Sequence, residues 1–70
     1  MPTLSQLMEI CERYRQKNGF GPTAEELHMI LTQRLHAEID FDQITSLIKD
    51  GETYGVLKDL NGRVEVIGKL

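Results

Sequence analysis

Seventy residues with a formal net charge of −3, from 8 basic and 11 acidic side chains, leave room for one domain only, and the chain lacks the overall basic charge that phosphate binding favours. At 40% apolar and 27% charged residues it has ordinary globular composition, which excludes a disordered or fibrous chain. A lone cysteine, Cys11, excludes an internal disulfide, and no apolar run approaches the roughly 20 residues of a membrane helix, so no membrane contact is expected. With no signal peptide either, the expected location is cytoplasmic.

The acidity is local. Residues 1 to 37 balance Glu9, Glu12, Glu25 and Glu26 against Arg13, Arg15, Lys17 and Arg34. Residues 38 to 53 set Glu38, Asp40, Asp42, Asp50 and Glu52 against Lys49 alone, and the remainder carries Lys58, Arg63 and Lys69 against Asp59 and Glu65.

Leu4, Leu7, Met8, Cys11 and Tyr14, with Ile10 on the flank, form one apolar stripe of a first helix over residues 4 to 17. Thr3 and Gln6 fit its capping box, Arg13, Arg15 and Lys17 suit its negative end, and Asn18-Gly19 is a left-handed stop. Pro22, Thr23 and Glu26 write the start of a second helix, whose stripe of Leu27, Ile30, Leu31 and Leu35 carries it to about residue 36 with no glycine to end it. Asp40 reads as a third N-cap with Gln43 three residues on and Ile39 and Ile44 as a hydrophobic staple. The third helix is expected over residues 41 to 50, with Phe41, Ile44, Leu47 and Ile48 inward and Gly51 as its stop.

Beyond Gly51 the residues turn β-prone around Asn61-Gly62, the dipeptide that a two-residue type I′ hairpin prefers. That turn sets Lys58 opposite Glu65 and Leu57 opposite Val66. The fold class is therefore mainly α with a small β hairpin.

The order helix, Asn18-Gly19-Phe20-Gly21-Pro22-Thr23, helix, helix, hairpin resembles a winged helix-turn-helix domain. Residues 14 to 31, Tyr-Arg-Gln-Lys-Asn-Gly-Phe-Gly-Pro-Thr-Ala-Glu-Glu-Leu-His-Met-Ile-Leu, are similar to the first half of the DNA-binding domain of LexA-type repressors. In that family an aromatic residue and Pro-Thr join the first two helices and a Glu follows at the third helical position, as Phe20, Pro22, Thr23 and Glu26 do here. Elsewhere the likeness is topological. The chain departs from the family in having no glycine between Thr32 and Ala37, in a recognition helix with one lysine, and in lacking the self-cleaving domain.

The resemblance implies a single three-helix winged helix-turn-helix domain over residues 1 to 70, binding double-stranded DNA in transcription regulation. Helix 41 to 50 would enter the major groove and hairpin 54 to 68 would be the wing. Gln43 would pair with adenine, Lys49 with guanine, and Thr45 or Ser46 with a base or phosphate, while Arg63 at the hairpin tip and Lys58 behind it would reach the backbone or a minor groove. Asp42 and Asp50 on the same helix oppose phosphates. The alternative they favour is an acidic winged-helix protein–protein interaction module, an adaptor, antirepressor or inhibitor that meets a partner with a basic surface and does not bind DNA. A homodimer is a further expectation, through the edge of the apolar last strand, residues 64 to 70. The chain reads either as a complete minimal protein or as an N-terminal domain of a longer one.

No catalytic group, metal site or cofactor is expected. His28 and His36 lie eight residues apart, more than two helical turns, and read as surface histidines. Cys11 sits on the apolar stripe and reads as a small buried hydrophobe. Gly19-x-Gly21 lacks the Lys-Ser/Thr of a phosphate loop and reads as a turn, Met8 and Met29 as core or flank residues, and Glu25 and Glu26 as helix-start carboxylates.

Overall fold

A computed structural model describes residues 2–70. Helix α1 (Leu4–Asn18) begins at a complete capping box in which the Thr3 hydroxyl accepts from the Gln6 amide at 3.1 Å and Gln6 Oε1 accepts from the Thr3 amide at 2.9 Å. Gly19, at φ 84°, ends it. Helix α2 (Ala24–Leu35) has the second box, Thr23 with Glu26, and ends without glycine by placing His36 in the left-handed region at φ 49°.

Helix α3 (Phe41–Thr53) differs from its sequence expectation in three ways. Asp40 has the extended backbone of an N-cap, yet its side chain caps nothing, and the Gln43 amide bonds to the Asp40 carbonyl instead. Gly51 lies within the helix, which runs on to Thr53. The stop is Gly55, at φ 76°, where the Gly55 and Val56 amides return to the Glu52 and Gly51 carbonyls in a Schellman motif. Gly51 serves packing: a Cβ there would stand 2.3 Å from Leu57 Cδ1, so a larger residue would displace the buried Leu57 side chain. Phe41 is not inward either; it is 40% exposed and rests edge-on against the His28 ring, centroids 5.8 Å apart.

Strands β1 (Leu57–Leu60) and β2 (Arg63–Val66) pair antiparallel with Leu57 opposite Val66 and Lys58 opposite Glu65, the expected register. Asn61 and Gly62, at φ 55° and 85°, form the turn. A third segment joins them: the Val64 amide donates to the Pro22 carbonyl at 2.8 Å and Thr23 bridges Arg63. β2 therefore has a backbone neighbour on both sides at Arg63 and Val64, and it ends at Val66 rather than running on to residue 70. The approach is tight, since a Cβ on Gly21 would lie 1.9 Å from the Val64 carbonyl oxygen.

The core gathers Leu7 and Cys11 of α1, Leu27 and Leu31 of α2, Ile44 of α3, and Val56, Leu57 and Val64 from the hairpin region. The arrangement is winged-helix-like: three packed helices with the hairpin folded against α1 and α3. Gly21→Ala is expected to cost more than about 2 kcal/mol in urea denaturation, because the collision is with backbone. Gly19→Ala, where open space surrounds the site, should cost only about 1 kcal/mol through its positive φ. Equal losses would show that the close approach is not the constraint.

Candidate nucleic-acid interface

The residue spacing of α3 divides its outer face into two flanks. Gln43 and Ser46 lie with Asp42, Leu47 and Asp50 along a groove of about 300 Å³ that Pro2 closes on the other side. Thr45 and Lys49 lie toward the opposite flank, the one on which Phe41 meets α2. Thr45 is partly occupied, its hydroxyl donating to the Asp42 carbonyl at 3.0 Å. Lys49 and Lys58 are exposed and, among the described residues, have no carboxylate partner. The continuation of α3 to Thr53 adds Glu52 to Asp42 and Asp50, so Lys49 is the one cation of an otherwise acidic helix.

Arg63 is not a free hairpin-tip cation. As the first residue of β2 it turns back onto the α1–α2 turn, with its guanidinium 4.2 Å from the Phe20 ring centroid and Nη1 donating to the Gly21 carbonyl at 2.9 Å. The same nitrogen is 3.4 Å from Glu26 Oε1. Glu26 is thus more than a capping residue: Oε1 accepts from the Thr23 amide and Oε2 accepts from the Tyr14 hydroxyl at 2.6 Å. Tyr14 of α1, Phe20, Gly21 and Thr23 of the α1–α2 turn, Glu26 of α2 and Arg63 of β2 are tied together this way, and only Lys58 of the hairpin's two candidates is left outward.

Glu65 completes the clasp. It stands opposite Lys58 in the ladder, yet its carboxylate is buried and receives Arg15 Nη1 on Oε1 and the Gly21 amide on Oε2, both at 2.7 Å. Burial alone would raise its pKa, but the Gly21 amide and the Arg15 guanidinium outweigh that and hold it below the ordinary 4.5. Glu26 is also held low, first by the Tyr14 hydroxyl and then by the Thr23 backbone, and the same hydrogen bond raises Tyr14. Sequence reasoning missed this cluster because its partners are 37 to 50 residues apart. The available signal was a charged residue between Val64 and Val66 in an apolar strand.

His28 is half-buried, not a surface residue as expected, and its ring nitrogen contacts the Ile39 carbonyl, pinning the α2–α3 connection. His36 is exposed. Burial, followed by the nearby Glu65 and Glu12 charges, pushes the Cys11 thiol up to about 12, which suppresses the thiolate a nucleophile needs. Among the described residues no group of three His, Cys, Asp or Glu is placed to hold a metal, and no helix is long and apolar enough to cross a membrane. Compared with protein-family models, curated proteins and solved structures, the chain matches none.

Both clasp carboxylates release their protons more readily in the folded state than in the unfolded one. Their stabilisation is therefore fully present above the unfolded value near 4.5 and is lost as pH falls through the lower folded values. Urea midpoints measured from about pH 6 to pH 3 should fall steeply for the wild type and more gently for Glu26→Gln with Glu65→Gln. Parallel slopes would show that other carboxylates govern acid unfolding.

Proposed function

We propose that the protein acts by binding rather than catalysis, as a small DNA-binding regulator that offers α3 to the major groove and the outer side of the hairpin to the backbone. The observation that carries this reading is an exposed α3 face, with Ser46 and Lys49 outward and Lys58 free on the adjoining hairpin, borne on a winged-helix-like frame. Ser46 and Gln43 supply hydrogen bonds for base edges or phosphates; Lys49 and Lys58 supply the charge that displaces counterions.

The charge balance makes this contact weak. Asp42, Asp50 and Glu52 oppose phosphates, and Arg63 is committed to Phe20, Gly21 and Glu26, so few cations remain to release counterions. An amide NMR titration with mixed-sequence duplex at about 50 mM salt, repeated at about 200 mM, tests it. Salt-sensitive shifts at Gln43, Thr45, Ser46, Lys49 and Lys58 are expected, and Lys49→Ala and Lys58→Ala should each flatten the salt dependence by about one unit of slope. Arg63→Ala should act mainly on stability. No shift at low salt overturns the reading.

The acidic side chains around Lys49 favour a second reading, a protein partner with a basic surface that meets α3 through Asp42, Asp50 and Glu52. The double variant Asp42→Lys with Asp50→Lys separates the two. It should tighten duplex binding on the first reading and abolish the protein complex on the second.

A further inference from the structure

The helical layer carries opposite charge on its other side. Ile10 of α1 and Ile30 of α2 line a groove of about 400 Å³ whose rim is Arg13, Lys17 and Arg34. Arg13 and Lys17 are one turn apart on α1, and Ile30 and Arg34 one turn apart on α2, so cations and apolar groups form a continuous strip. A smaller groove of about 170 Å³ prolongs it past Ile10 and Arg34 toward Leu35. Glu9 is the nearby carboxylate, and Arg13 already holds it at 3.1 Å. α3 packs against the other flank of α2, where His28 meets Phe41, so it does not reach this groove within the same molecule.

The α3 groove is its counterpart: half-buried Leu47 beside Pro2, edged by Asp42 and Asp50. One surface is apolar with a basic rim and the other apolar with an acidic rim. We propose that a second copy of this chain seats the Asp42, Leu47 and Asp50 face of α3 in the α1–α2 groove, against Ile30 and the Arg13, Lys17 and Arg34 rim. The contact is head-to-tail, because the two surfaces are different, and each pair leaves one groove and one α3 face free to continue the assembly. It is weak and salt-sensitive, since its charges remain near water. It does not depend on whether α3 reads DNA; where it does, duplex and second copy compete for the same face.

Sedimentation and amide NMR of the whole chain, from about 50 μM to about 1 mM at low salt, test the proposal, since screening shortens to roughly 3 Å at 1 M. Concentration-dependent shifts are expected at both surfaces together, around Arg13, Lys17, Ile30 and Arg34 and around Asp42, Leu47 and Asp50, and high salt should remove them. Arg34→Glu and Asp50→Lys, both at exposed positions, should each weaken association at least about tenfold by placing like charges face to face. Mixing the two variants restores opposite charges across the contact and should restore association, while unchanged amide dispersion in each variant alone certifies its fold. A wild type that stays monomeric, a mixture that fails to associate, or shifts confined to the β1 edge would each overturn the proposal.

Discussion

The rest of the structure depends on the contact between the α1–α2 turn and β2. Here the Pro22 carbonyl accepts the Val64 amide while Gly21 sits so close to the strand that no side chain fits between them. The Thr23–Glu26 capping box and the left-handed Gly19 shape the turn locally, but they leave backbone groups of Gly21 and Pro22 with no partner inside the turn. β2 supplies those partners. The strand is held in turn by β1 on its other side, so the hairpin packs against the helices rather than hanging from the end of α3.

Satisfying this contact consumes charge. Glu65 accepts the Gly21 amide and needs Arg15 to be stable as a buried anion; Arg63 donates to the Gly21 carbonyl and needs Glu26 and the Phe20 face. Two of the cations that a nucleic-acid surface would use are thereby neutralised within the fold. The free positive charge is redistributed to the α1–α2 groove and to isolated lysines, Lys49 on α3 and Lys58 on the hairpin. Electrostatics and architecture are thus coupled: what anchors the hairpin also engages Arg15 and Arg63 within the fold.

Gly51 has the same kind of consequence for α3. It lies within α3 with Leu57 packed against it, and the helix continues through Gly51, Glu52 and Thr53 to a Schellman motif at Gly55. The longer helix gains Glu52, deepening the acidity of a face on which Lys49 is already outnumbered. The opposite charge lies on the same molecule, on the Arg13, Lys17 and Arg34 rim of the α1–α2 groove.

Local chemistry was legible from the residues alone. Thr3 with Gln6 and Thr23 with Glu26 satisfy orphan amides within one turn, and Asn61-Gly62 forces a two-residue hairpin whose register follows from counting outward. These interactions span three or four residues, so the sequence by itself determined three helices, a hairpin and their order. Where Gly51 and Phe41 lie, what His28 holds, and the inward turn of Arg63 and Glu65 were decided only by tertiary structure. Their partners, from Leu57 beside Gly51 to Arg15 beside Glu65, belong to other segments of the fold, and an apolar pattern or a formal charge does not reveal which carbonyl, ring or carboxylate will be opposite once the elements pack.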